Sequence, residues 1–211
     1  MNTQKPRGTF SRFLMTIALL ATFGPAVFAA PPAAAKTEQA TFAAGCFWSM
    51  EAIFKQIKGV QKVVPGYAGG SLARPSYEQV GTGTTGHAET LNITFDPRVV
   101  SYRDLLTVLL SVHNPTTRDK QGADEGPQYR SVIFYRTPRQ KQAATEAIQK
   151  MTAARVWKAP IVTQVKPFTN FYAAENYHYD YYNQNPNESY CQYVIAPKIK
   201  QFRAKFARLL K

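Results

Sequence analysis

Two cysteines, Cys46 and Cys191, are the residues of this chain best suited to nucleophilic chemistry. Cys46 follows Gly45 where a strand-like apolar stretch gives way to a helical pattern. A sulfur there lies at the positive end of a helix, which favours thiolate over thiol. A free thiol with pKa near ~8.5 is only a few per cent ionised at neutral pH, so lowering it by one unit multiplies the nucleophile roughly ten-fold. Two plainer readings stand beside this one: a structural disulfide between Cys46 and Cys191, and an inert buried thiol. Two cysteines are too few for a thiolate zinc or iron–sulfur site, and the histidines His87, His113 and His178 are scattered. Glu175 and His178 have the Glu-x-x-His spacing of di-iron bundles, but the motif occurs once where two copies are needed. His178 is therefore expected to hydrogen-bond with Glu175 or Asp180. Gly81 to Gly86 matches GxGxxG, yet it runs into a strand-like segment instead of opening a helix, so it reads as a flexible loop.

The elements that must position Cys46 follow from periodicity. Residues 40–45 read as a short buried strand. From Cys46 a helical run places Phe47, Met50, Phe54 and Ile57 on one face and stops at Gly59. Residues 60–67 are β-branched and strand-like, and 69–86 form a long loop that holds Tyr77. Residues 90–95 alternate as a half-buried strand does, ending at Asp96-Pro97. Ser101 and Asp104 resemble a capping box for a helix bearing Tyr102, Leu105, Leu106 and Leu109. Residues 129–136 read as a strand. Thr137-Pro138 then starts a helix whose Ala143, Ala147, Ile148 and Met151 pack inward. A further strand is expected at 161–165, and the Tyr-rich stretch 171–182 reads as a helix or an irregular lid. This order, βαββαβ with C-terminal additions, indicates one α+β domain.

Composition bounds the function. Apolar residues make up 45% of the chain and charged ones 18%, which fits a globular protein with a real core. No apolar run reaches the roughly 20 residues of a membrane span. The formal charge of +13 invites a nucleic-acid reading, but three of those charges, Lys5, Arg7 and Arg12, head a segment that looks like a secretory signal. Residues 1–29 combine that basic start with an apolar stretch and a small-residue end at Ala29. Their removal leaves +10 and implies export, most simply to a periplasm. Residues 30–39, with Pro31-Pro32 and an alanine run, read as a tether, and 40–211 as the domain. The last cluster of positive charge, from Lys198 to Lys211, alternates with Ile199, Phe202, Phe206, Leu209 and Leu210 at helical spacing. These cations are expected on the outer face of a docked helix, with no nucleic-acid partner.

Several motifs in register resemble the A-type peptide methionine sulfoxide reductases. They are Gly45-Cys46-Phe47-Trp48, Gly66-Tyr67-Ala68-Gly69-Gly70, Tyr77, Gly86-His87-Ala88-Glu89, His113-Asn114-Pro115-Thr116, Gly122-Ala123-Asp124, Gln128-Tyr129-Arg130-Ser131 and Ala174-Glu175-Asn176-Tyr177-His178. The resemblance runs from about residue 40 to about residue 198. It implies a ferredoxin-like two-layer sandwich, a mixed sheet covered by helices with a C-terminal helical extension. It further implies a monomeric enzyme that reduces methionine S-sulfoxide in proteins, peptides or the free amino acid, without metal or organic cofactor. Cys46 would be the nucleophile and Glu89 the acid, since a sulfoxide sulfur becomes a good electrophile only when its oxygen is protonated or strongly hydrogen-bonded. Tyr77 and Tyr129 would donate to that oxygen, Asp124 would orient the site or water, and Phe47 and Trp48 would enclose the S-methyl group. Cys46 would be left as a sulfenic acid, resolved by Cys191 into a disulfide that a thioredoxin-like partner reduces. Two other classes fit Cys46: a cysteine hydrolase or transpeptidase, and an aromatic-rich peptide-binding module with a structural disulfide.

Overall fold

The computed structural model describes residues 37–211, together with 1–4 and 8. The expected signal segment 1–29, apart from those few positions, and the expected tether as far as residue 36 lie outside the described residues. Strand β1 spans Glu38–Ala44, so the last two residues of the expected tether belong to the sheet instead. The reason is backbone pairing: Glu38 and Gln39 extend the ladder to Phe95 and Thr94, which requires no apolar side chain.

Helix α1 (Phe47–Phe54) follows at once, then β2 (Val60–Ala68), α2 (Tyr77–Gly81) and β3 (Ala88–Phe95). Helix α1 ends five residues short of the expected Gly59. The chain beyond it turns to meet its own C-terminus, where Lys58 N–H donates to Leu209 O at 2.8 Å and Lys211 N–H to Gln56 O at 2.9 Å. Within the expected loop, α2 is a short helix fixed by a capping box, Ser76 and Gln79 bonding reciprocally. Then come α3 (Tyr102–Val112), the two-residue strands β4 (Lys120–Gln121) and β5 (Asp124–Glu125), β6 (Ser131–Tyr135) and α4 (Pro138–Ala153). The expected capping box holds, Asp104 N–H donating to Ser101, and Thr137 caps α4 as expected, accepting from Gln140 N–H. On α4, Ala143 is buried and Ala147, Ile148 and Met151 are half-buried. The last elements are β7 (Gln164–Pro167), β8 (Tyr172–Ala173), α5 (Tyr181–Gln184) and α6 (Ala196–Lys205). Strand β7 starts three residues later than expected because Val162 N–H leaves the sheet line to donate to Pro115 O at 2.8 Å. The Tyr-rich stretch is irregular, a 3-10 turn at Asn176–His178 between β8 and α5.

The six-stranded sheet has the order β7-β6-β1-β3-β2-β8. Its inner four strands, β6-β1-β3-β2, pair antiparallel and are connected in the ferredoxin-like order, while β7 joins β6 in parallel. Phe42, Leu91 and Ile93 of the sheet and Phe54, Leu105, Leu106 and Phe202 of the helices are almost wholly buried together. Burial of each such side chain stabilises by roughly 1.5–3 kcal/mol. Helix α6 docks through Ile199 and Phe202, leaving Lys200, Arg203, Lys205, Arg208 and Lys211 exposed; Lys198 is half-buried. Among the described residues no helix is long and apolar enough to cross a membrane.

Candidate active site

Gly45 adopts φ +79°, and a Cβ there would stand 2.5 Å from Gln121 Cγ, so only glycine lets the chain turn out of β1 at this point. The turn makes Cys46 the residue that caps α1, buried at 6% exposure. The first helical amide does not serve the sulfur: Phe47 N–H donates to Glu89 Oε2 at 2.9 Å. Burial first, and the Glu89 charge second, push the Cys46 thiol well above its ordinary range. The neighbouring Tyr190 hydroxyl and the Trp48 amide oppose this without outweighing it. The expectation of a resting thiolate is thus corrected, because the first helical amide serves Glu89 and burial outweighs what the second gives the sulfur.

Glu89 sits on β3 opposite Tyr67 of β2 and is 3% exposed. Burial pushes its carboxyl up to about 8; the Phe47 amide pulls the other way, and Asp124 adds to the rise. At neutral pH the site therefore holds a carboxylic acid beside a thiol, two neutral groups that share few protons with water.

Asp124 is carried on the β4–β5 hairpin. Gln121 locks that hairpin in place, accepting from Asn114 N–H at 3.1 Å and donating to Asn114 O at 3.0 Å. Asp124 Oδ2 accepts from the Tyr190 hydroxyl at 2.8 Å, which aims Tyr190 at Cys46. Tyr77 begins α2, and its N–H donates to Glu175 Oε1 at 2.9 Å while Tyr67 OH donates to Glu175 Oε2 at 2.7 Å. Tyr129 closes a 3-10 turn that the Arg130 guanidinium fastens to Gly86 O at 2.8 Å and Pro127 O at 2.7 Å. The hydroxyls of Tyr77 and Tyr129 are raised by burial and then by the Glu89 charge, and both also sense Cys46. Both remain protonated donors facing the same spot.

An aromatic wall closes one side. Phe47 lies 6.4 Å from the Tyr77 ring at 18° and 5.0 Å from His178, and Trp48 stacks on Tyr181 at 3.7 Å and 6°. Tyr190 meets Trp48 edge-on at 6.0 Å. Trp48 Nε1–H donates to His178 Nδ1 at 3.0 Å, which puts the imidazole proton on Nε2, 3.6 Å from Glu175 Oε2. The expected side-chain hydrogen bond of His178 to Glu175 or Asp180 is not made: Nδ1 is taken by Trp48, Nε2 is buried without a hydrogen-bond partner among the described residues, and Asp180 binds Lys55 at 2.6 Å. Among the described residues no group of three or more His, Cys, Asp or Glu side chains is placed to hold a metal ion.

Cys191 is fully buried in a π-helical turn, Cys191–Ile195, directly before α6. Both cysteines are free thiols, against the structural-bridge reading. Burial and then Glu188 raise the Cys191 thiol, and the Tyr181 hydroxyl senses both sulfurs. These contacts link Cys46, Phe47, Trp48, Tyr77, Glu89, Asp124 and Tyr129 to one another, and Cys191 is related to them through Tyr181, whose hydroxyl senses both sulfurs. Tyr190, Tyr181 and Tyr67 were given no roles in the sequence, and Glu175 only that of a partner for His178. Tyr67 and Glu175 fall inside quoted motifs and Tyr190 precedes Cys191, but no spacing rule marks a tyrosine whose partner, Asp124, lies 66 residues earlier.

The chain is similar to known proteins in sequence and fold. The profile of the family described as "Peptide methionine sulfoxide reductase" matches residues 38–210. A peptide methionine sulfoxide reductase MsrA from Polynucleobacter asymbioticus is 50% identical over 173 residues, 82% of this chain and 91% of that protein. One from Thermus thermophilus is 49% identical over 174 residues, 82% of this chain and 98% of that protein. Among solved structures, Mxr1 from Saccharomyces cerevisiae in reduced form aligns with TM-score 0.68 at 31% identity, covering 79% of this chain and 94% of that one. Methionine sulfoxide reductase A of Corynebacterium diphtheriae aligns with TM-score 0.67 at 32% identity, covering 77% and 82%.

Proposed function

Since the chain belongs to the peptide methionine sulfoxide reductase family and reduces methionine S-sulfoxide to methionine, we infer that the groups around Cys46 carry out this reaction in the following way. The S-methyl group packs against Phe47 and Trp48, and the sulfoxide oxygen faces Tyr77, Tyr129 and Glu89. Glu89 gives its proton to that oxygen as the Cys46 sulfur attacks, then takes the thiol proton. The attack forms a bond between the Cys46 sulfur and the sulfoxide sulfur; the hydroxyl then passes to the Cys46 sulfur as this S–S bond and the original S–O bond break, so methionine leaves and Cys46 is a sulfenic acid. The Tyr190–Asp124 pair steadies the attacking sulfur. Cys191 then condenses with the sulfenic acid, releasing water and forming a disulfide. The π-helical turn that holds Cys191 supports this, since such turns mark local slack in a helix. A thioredoxin-like dithiol returns the disulfide to two thiols, and the enzyme works as a monomer.

The observation that carries the reading is the buried pair of Cys46 and a Glu89 carboxyl with pKa about 8, joined through the Phe47 amide. A resting thiolate beside a histidine, which a cysteine hydrolase needs, is absent from the described site. The test is a single-turnover assay with both epimers of a methionine sulfoxide peptide. The parent releases one equivalent of methionine from the S form only, and Cys46→Ser releases none. Turnover by Cys46→Ser within ten-fold of the parent would sink the assignment. We further propose that the enzyme is exported, to a periplasm most simply, on the strength of residues 1–29 alone. Mass spectrometry of the mature protein tests this, expecting a start near Ala30.

A further inference from the structure

Behind the aromatic wall lies a carboxylate that the reaction does not use. Glu51, on the second turn of α1, is 2% exposed, and its Oε2 accepts from Asp180 N–H at 2.9 Å. Asp180 holds φ +54°, a left-handed conformation that a non-glycine residue keeps only when its surroundings fix it. It is pinned from three sides: by Glu51, by Lys55 Nζ at 2.6 Å, and by Asn183 Nδ2 at 2.8 Å. Lys55 Nζ also stands 3.7 Å from Glu51 Oε1, and the Tyr179 hydroxyl senses the Glu51 charge. This turn joins the two residues that hold Trp48. His178, two positions before Asp180, accepts from the indole N–H, and Tyr181, one position after it, stacks on the indole face.

We propose that Glu51 is a positioning residue for substrate: its hydrogen bond to the Asp180 amide sets the 178–181 turn, and through it the orientation of Trp48 in the methyl pocket. Trp48 lies three residues before Glu51 on the same short helix, so one α1 turn supplies both the pocket wall and the anchor of the wall's supports. A carboxylate there is expensive to bury, and its one backbone partner is the amide of the turn's strained residue. The inference rests on the reading that Trp48 encloses the S-methyl group.

The test separates bond length from charge. Glu51→Gln keeps an oxygen at the same reach and loses the charge; Glu51→Asp keeps the charge beside Lys55 and withdraws the oxygen by one methylene. In each, KM and single-turnover rate are measured with an S-sulfoxide peptide, and Trp48 emission is read in a Trp157→Phe background that leaves one indole. The expected result is that Glu51→Asp, and Glu51→Ala where it folds, raise KM about ten-fold, hold the saturated rate within about three-fold, and shift Trp48 emission, while Glu51→Gln stays close to the parent. An unchanged KM and emission in Glu51→Asp overturns the proposal, as does a Glu51→Gln that is impaired as much as Glu51→Asp. Trp48→Ala run alongside reports on the pocket reading separately: an unchanged KM there withdraws the pocket role and with it this proposal, even where emission shows that Glu51 orients the indole.

Discussion

The charge state of Glu89 makes the sharpest prediction, because it fixes the sign of the pH dependence. With a carboxyl at about 8, roughly 90% of the enzyme carries the acid at pH 7 and about 9% at pH 9. At the ordinary value of 4.5 only about 0.3% would carry it at pH 7, so burial raises the competent fraction on the order of 300-fold. The difference corresponds to about 5 kcal/mol of preference for the neutral form. Cys46 contributes no opposing limb, since its thiol ionises far above this range. Single-turnover reduction of an S-sulfoxide peptide, followed by stopped flow from pH 6 to 9.5, is expected to be flat below about 7 and to fall toward ten-fold per unit above about 8. Glu89→Gln is expected to lose on the order of 10²-fold in rate and the falling limb with it. A parent rate that climbs through this range would mean that the nucleophile is a thiolate formed by simple deprotonation, and would refute the reasoning. So would a falling limb that survives in Glu89→Gln.

Cys191→Ser is expected to release one equivalent of methionine at the parent rate but to lose multiple turnover with thioredoxin, measured by reductant consumption, because the sulfenic acid has no second thiol to condense with. Gly45→Ala places a Cβ at φ +79° against Gln121, whose amide is tied to Asn114, and is expected to lower stability by ~3 kcal/mol in urea titration, with activity falling as Cys46 shifts. Glu51 has a folded pKa of about 7, raised from 4.5 by burial first, with Lys55 opposing. The folded state then binds more protons between those values, so stability falls as pH rises from about 4.5 to about 7 and is level above. Glu51→Gln is expected to remove on the order of 3 kcal/mol of that slope in urea midpoints measured across this range. A slope unchanged by the substitution would show that Glu51 is not the titrating group.

How far the sequence alone reaches can be seen residue by residue. The βαββαβ order was legible because alternation and helical spacing are local signals, and the capping residues Ser101 and Thr137 announce their helices within four positions. Ordered motifs from Cys46 to His178 carried the family resemblance that named the residues from Cys46 to Tyr129, since each motif is a short contiguous string, but Tyr190 and Tyr181 lie outside them. Boundaries were less legible where a distant partner decided them: β1 grew by two residues because β3 offered a ladder, and α1 stopped early because the C-terminus packs across its end. The protonation state of the nucleophile was decided by the tertiary structure alone. Cys46 at the start of a helix reads as an activated thiolate, but folding brings Glu89 from 43 residues away to take the helix amide and excludes water from both. The same holds for Tyr190, whose place on the sulfur depends on a hairpin 66 residues earlier, and for Glu51, whose partner amide lies 129 residues on. Residue type sets what a side chain is able to do; its charge depends on desolvation and on neighbours that only the folded chain brings within reach.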